Sequence, residues 1–167
     1  VWLHGGGWQS GCGCTTLFDG TRLARRGDTV IVALNHRLNL FGYLYLAQLL
    51  GEEYADSGNV GVLDILAGLR WVKENIARFG GDPRNVTLFG WSSGGSEVSQ
   101  ILAMPDAKGL FHKAIVQSGA QLSLRTREAA AQAIEEVLDL LGLHRARARE
   151  NLDLPMAALL KRGGGGQ

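Results

Sequence analysis

The sequence predicts an α/β protein in which about four strands form a mostly parallel sheet with flanking helices. Three observations carry this. Short apolar runs alternate with helical periodicity along the chain, the order that builds βαβ units. Thr29-Val30-Ile31-Val32-Ala33-Leu34 is a continuous β-branched, apolar run. A run without alternation marks a strand covered on both faces, as in a parallel sheet. Val62, Ile65, Leu66, Leu69, Val72, Ile76 and Phe79 recur at three- and four-residue spacing, which gives a helix one apolar face.

Val1-Trp2-Leu3 reads as the end of a buried strand running into His4-Gly5-Gly6-Gly7. Residues 19–26 suit a short helix with Leu23 and Ala24 inward. The strand at 29–34 follows, then a mixed, glycine-interrupted stretch over 35–54 with a helical turn near 43–46. Ser57-Gly58-Asn59 leads into the long helix. Asp64 is expected in its first turn, where a negative charge suits the helix dipole. Gly80-Gly81-Asp82-Pro83 stops it, glycine at the cap and proline beyond. Residues 86–89 form the third strand, 95–103 a helix, and 114–117 the fourth strand. Thr126 suits the N-cap of a helix that buries Ala130, Ile134, Val137, Leu138 and Leu141 and stops at Gly142. A last short helix is expected over 154–162.

The composition is that of a globular protein: 167 residues, 46% hydrophobic and 20% charged. A net charge of +1 leaves no electrostatic footprint for nucleic acid or an anionic membrane. No apolar run reaches the ~18 residues of a membrane span. Cys12 and Cys14 cannot by themselves make a four-ligand zinc site. One intervening residue is expected to be too short for an easy disulfide, so both read as small residues in a glycine-rich loop. Four strands with both edges open would invite mispairing. Together with the start at Val1 and the Gly163–Gly166 tail, this reads residues 1–167 as one partial domain whose downstream strands are missing.

Gly90-Trp91-Ser92-Ser93-Gly94 satisfies G-x-S-x-G. The spacing sets a nucleophile on a strained turn between strand and helix, where its hydroxyl stands clear of the backbone. An apolar strand precedes it and a helix follows, the context the motif requires. Acyl transfer passes through a tetrahedral oxyanion, for which each backbone donor is worth ~3–4 kcal/mol of barrier. Two sources of donors are visible: the N–H of Ser93, and the triple glycine after His4.

Several segments resemble the type-B carboxylesterase family. Phe79-Gly80-Gly81-Asp82-Pro83-Arg84-Asn85-Val86-Thr87-Leu88-Phe89-Gly90-Trp91-Ser92-Ser93-Gly94 fits that family's active-site signature. Val1-Trp2-Leu3-His4-Gly5-Gly6-Gly7-Trp8 is similar to its oxyanion strand and loop. Asn35-His36-Arg37-Leu38, Phe41-Gly42-Tyr43-Leu44, 58–64 and 109–119 are similar to its next segments. The likeness covers about residues 1–122. It implies the α/β-hydrolase fold and hydrolysis of small-molecule carboxylic esters without metal or organic cofactor. Position by position it implies Ser92 as nucleophile, and Gly6, Gly7 and Ser93 as oxyanion donors. Trp8 would line the substrate pocket, Arg37 and Asp64 would form a buried structural salt bridge, and Ser118 would be a buried serine nearby. Two residues depart from the pattern. Trp91 stands where the family has Glu or Gln, removing a polar group and hinting at an apolar pocket. Ile65 replaces the usual Gln after Asp64.

The elbow serine needs a base and an orienting acid, in the order Ser, acid, His. His112 and His144 follow Ser92 in that order but lack the strand-end placement. His4 and His36 read as structural. The triad partners are expected downstream, so the 167 residues alone are expected to be inactive. The alternatives are a catalytically inactive esterase-like domain used for binding or adhesion, and a non-functional truncation.

Overall fold

A computed structural model describes residues 1–141 and Arg145. The chain divides into two compact units, Val1–Gly42 with Val60–Leu124, and Tyr43–Asn59 with Arg125–Gln167. The strands are β1 (Trp2–Leu3), β2 (Ala33–Leu34), β3 (Thr87–Trp91) and β4 (Lys113–Gln117). The helices are α1 (Thr21–Gly27), α2 (Asn39–Tyr43), α3 (Ala47–Leu50), α4 (Val60–Asn75), α5 (Ser93–Leu102) and α6 (Arg127–Leu141).

In the first unit the strands form one all-parallel sheet in the order β2-β1-β3-β4. Trp2 pairs with Ala33 and Phe89, Leu3 with Leu34 and Gly90, and Trp91 with Gln117. Because all four strands run the same way and end within one residue of the same register, the residues that follow them emerge at one edge. These are His4, Asn35-His36, Ser92 and Ser118. Ligands of open parallel sheets bind outside such carboxyl ends. Leu3, Leu88, Val98 and Ile101 are fully buried, as are Ile65, Leu66 and Leu69 of α4. Each such burial is worth about 1.5–3 kcal/mol.

The apolar periodicity found α4, whose buried face is Val62, Ile65, Leu66, Leu69 and Val72. A 3-10 turn, Ile76–Phe79, continues it, and Gly80 caps it in the left-handed region at φ 84°. Phe79 is an exception to the apolar stripe. It is exposed and packs on Trp71 with ring centroids 5.7 Å apart. Asp64 is not in the first turn, because the helix begins four residues earlier at Val60; its charge is engaged elsewhere.

The strand at 29–34 is shorter than its run of apolar residues suggests and is not covered on both faces. Only Ala33–Leu34 pair, and Val30 is exposed. β2 lies at the sheet edge and its one neighbour, β1, is two residues long, so the ladder has nothing further to pair with. Leu23 of α1 is exposed, not inward. Over 35–54 the helical turns flank the expected position: α2 ends at Tyr43 and α3 begins at Ala47.

Cys12 and Cys14 are joined by a disulfide, against the expectation from their spacing. Their Cα atoms lie 5.3 Å apart, inside the range a bridge requires. The chain bends through Gly13, whose N–H is held by Asn35 Oδ1 at 2.9 Å.

In the second unit Thr126 caps α6, its Oγ1 accepting the Ala129 N–H at 3.2 Å, and α6 buries Ile134 and Leu138. Arg145 pairs with Glu135 of the same helix. The Leu141 side chain, the Gly142 stop, His144 and the helix expected over 154–162 lie outside the described residues.

Candidate active site

Strand β3 leads directly into the elbow. Ser92 has φ 56° and ψ −123°, a conformation that costs a non-glycine residue about 1–3 kcal/mol and needs the surroundings to impose it. The surroundings do so by hydrogen bonds. The Ser92 N–H donates to Gln117 O at 2.8 Å, and Ser92 O accepts the Ser96 N–H at 3.0 Å. Ser93 opens α5, so its N–H is among the donors that have no intrahelical partner. The helix sits close to β1: a Cβ on Gly94 would lie 2.4 Å from Leu3 O and 2.7 Å from His4 O. Only glycine permits that approach.

The loop after β1 supplies the second wall. Gly6, Gly7 and Trp8 have φ of 132°, 64° and 60°, three consecutive residues with positive φ. Gly6 O accepts the N–H groups of Gln9 and Ser10 at 3.1 and 3.2 Å, and Trp8 O accepts the Asn39 N–H at 2.6 Å. The loop abuts the elbow, since a Cβ on Gly5 would lie 2.9 Å from Trp91 O and 3.1 Å from Ser92 Cβ. Among the described residues the non-glycine residues with positive φ are Trp8, Asp28, Asn39, Ser92 and Ser118. All but Asp28, which caps α1, belong to the segments that leave this edge of the sheet or are bonded to them.

The Trp91 ring leans over Gly5 and tilts against Phe18, centroids 6.0 Å apart. Trp91 is half-exposed and Trp8 half-buried. A cleft between Gly13, Phe18, Thr21 and Ile31 includes neither tryptophan in its wall. Ser118 is exposed, in contrast to the burial expected, and has a positive φ of 52° at the end of β4.

Arg37 and Asp64 meet through three bonds: Nε and Nη2 of Arg37 donate to the carboxylate at 2.8 and 2.7 Å, and the Arg37 N–H at 2.9 Å. The guanidinium hydrogen bond holds the Asp64 carboxyl below the usual aspartate value, against a smaller opposing effect of burial. The pair is not buried. The Arg37 side chain is 59% exposed.

His112 lies at the far end of the sheet from Ser92. It precedes β4, where its N–H donates to Val86 O at 2.8 Å and its Nδ1 accepts the Val86 N–H at 3.2 Å. Since β3 and β4 run parallel, a strand length of about 15 Å separates it from the elbow. Three other titratable groups, which the sequence did not point to as a set, come together instead. His36 Nε2 is 2.9 Å from Glu97 Oε1, both side chains 1% exposed. The His36 ring stacks on that of His4 at 4.9 Å and 20°. The one local sign was Glu97 four residues after Ser93, on the same face of a helix whose first turns are buried. No group of three or more His, Cys, Asp or Glu among the described residues is placed to hold a metal ion. No helix among them is long and apolar enough to cross a membrane.

Residues 1–161 match the model of the carboxylesterase family. The chain is 49% identical over 144 residues to a para-nitrobenzyl esterase of Bacillus subtilis, covering 86% of this chain and 29% of that protein. It is 50% identical over 119 residues to human carboxylesterase 3, covering 71% of this chain and 20% of that protein. Among solved structures, it superposes on the Geobacillus stearothermophilus carboxylesterase EST55 with a TM-score of 0.90 at 46% identity, over 96% of this chain and 34% of that one. The chain thus spans about a third or less of these relatives. The four-stranded parallel sheet and its helices are part of an α/β-hydrolase fold.

Proposed function

The chain belongs to the carboxylesterase family, and on that premise we propose that it supplies the nucleophile and oxyanion donors of a serine ester hydrolase. The observation that carries the reading is the backbone of Ser92 itself: positive φ at the junction of β3 and α5, held from both sides. In this reading residues 1–167 are part of one domain. Ser92 Oγ attacks the ester carbonyl. The N–H groups of Gly6, Gly7 and Ser93 receive the oxyanion, the alcohol leaves, and water releases the acyl group. The acid and histidine that activate Ser92 come from outside the described residues, in keeping with His112 at the wrong end of the sheet.

Trp8 and Trp91 form the apolar flanks of the site. The Trp91 ring over Gly5 favours esters with an apolar acyl or alcohol group and supplies no acid or amide beside Ser92. Arg37 and Asp64 support the loop after β2 and take no part in the chemistry.

The test is labelling of the full-length protein with a fluorophosphonate probe, alongside hydrolysis of p-nitrophenyl butyrate. The reading expects both to disappear in Ser92→Ala, with kcat down by about 10⁴-fold or more. Labelling that persists in Ser92→Ala would sink the nucleophile assignment. Wild-type protein that is folded but neither labels nor turns over would favour the non-catalytic branch.

A further inference from the structure

His4, His36 and Glu97 are buried together beside the elbow helix, and the proposed chemistry uses none of them. Taking an acid and two imidazoles out of water costs several kcal/mol per charged group, and well-packed apolar residues in their place are often neutral or better for stability. Stability alone therefore gives a weak account of the cluster.

Its geometry gives a stronger one. The Gly5 carbonyl can only accept, so the 2.8 Å contact with His4 Nδ1 puts the proton on that nitrogen. Gly5 C=O and Gly6 N–H belong to one planar peptide unit. A hydrogen bond that pins the carbonyl therefore also sets the direction of the Gly6 N–H. The His4 ring is in turn oriented by stacking on His36, and His36 Nε2 is held by Glu97. Glu97 lies one helical turn after Ser93 on α5. The series thus begins on the helix that carries one oxyanion donor and ends on the peptide that carries another. Gly11 closes it on the outer side: a Cβ there would lie 2.4 Å from His4 Nδ1 and 2.5 Å from Gly5 O, so the His4–Gly5 bond is covered by backbone.

We propose that His4, His36 and Glu97 are positioning residues that aim the Gly6 N–H at the oxyanion, in register with Ser93. The role rests on the reading of Ser92 as nucleophile. It concerns orientation of a donor that strengthens in the transition state, so it acts on kcat more than on KM.

The test uses the full-length protein with p-nitrophenyl butyrate, and melting curves to select folded variants. Glu97→Ala is expected to lower kcat roughly 10- to 100-fold, short of the effect of deleting a whole donor, with KM within about twofold. Glu97→Gln keeps an acceptor for His36 and is expected to recover kcat to within about threefold of wild type. His4→Phe keeps a stacking ring and removes the Nδ1 donor. It is expected to repeat the kcat loss, and it decides the matter if Glu97→Ala does not fold. Inhibition by a trifluoromethyl ketone, whose adduct carries the oxyanion, should weaken in step with kcat. A folded Glu97→Ala or His4→Phe with kcat within twofold of wild type overturns the inference. So does a lower melting temperature with kcat and inhibitor affinity unchanged. Ser92→Ala separates the two claims. Activity surviving in that variant defeats the nucleophile reading, whereas a Ser92-dependent enzyme indifferent to Glu97 and His4 defeats only the relay.

Discussion

Ser92 and the Gly5–Trp8 loop emerge at the same edge of the sheet, yet they are held by different means. Before Ser92 come five residues of β3, all paired with β4, and after it ten residues of α5. Before Gly5 come two residues of β1, and Gly6 to Trp8 form a turn with no regular element in it. The elbow therefore inherits its geometry from backbone ladders that tolerate changes of side chain. The loop depends on steric clearance and on a few specific bonds: Trp8 O with Asn39, Gly6 O with Gln9 and Ser10, and His4 with Gly5. A site assembled in this way should fail by different routes on its two walls.

The change that should hurt both walls is Gly94→Ala. The new Cβ would meet the Leu3 and His4 carbonyls at 2.4 and 2.7 Å, and neither backbone can yield without parting α5 from β1. A loss of about 3 kcal/mol or more in urea unfolding is expected, at the upper end for overpacking, together with loss of fluorophosphonate labelling. A loss below about 1 kcal/mol would mean that the two walls are not in close contact.

Next is a pair of substitutions within the sheet. Leu88→Ala removes a fully buried side chain of β3 and should cost about 2–4 kcal/mol. Val30→Ala, in the exposed run before β2, should cost less than about 1 kcal/mol. Equal costs would contradict the assignment of β2 to a short edge strand. An effect between those two is expected at Gly7, where φ is 64° but an added Cβ meets nothing within 4 Å. There Gly7→Ala carries only the left-handed backbone penalty of about 1–2 kcal/mol, which unfolding of the variant would measure.

The smallest effect belongs to Arg37 and Asp64, outside the contrast between the walls. With the Arg37 side chain 59% exposed, Asp64→Asn should destabilise by about 1 kcal/mol or less at neutral pH. The folded protein holds the Asp64 carboxyl below its usual value. The contribution is thus fully present above the unfolded value of about 4 and is lost as pH falls through the lower folded value. The stability difference between wild type and variant should be flat from pH 5 to 8, to within about 0.5 kcal/mol, and close below about pH 4. A difference that persisted into acid would point to packing instead of charge.

The wall built on regular structure was the legible one. Gly90 to Gly94 announces itself within five residues, and the apolar strand before it and the helix after it are read from the neighbouring residues alone. Less of the other wall could be read. The length of β2 depended on how short β1 is, which the run at 29–34 does not encode. The Cys12–Cys14 bridge depended on a bend through Gly13, and separation in sequence was a poor guide to it. His36 and Glu97 meet only because β2 and α5 end and begin at one edge of the sheet. No local pattern in either segment names its partner. Burial of Arg37 and Ser118 was likewise inferred from likeness to a family, whereas exposure is a property of the surroundings.

The strand order β2-β1-β3-β4 has a consequence for synthesis on the ribosome. Of these four strands β1 is translated before the others yet lies between two later ones, and Trp2 finds Phe89 only after all the intervening chain has been translated. At typical rates of roughly 5–20 residues per second that wait is on the order of 4–17 s. During it, Val1-Trp2-Leu3 has at most β2 on one flank. The Gly5–Trp8 loop therefore cannot take its final shape until β3 arrives, and a chaperone that shields short apolar segments would have its longest opportunity among these strands at β1.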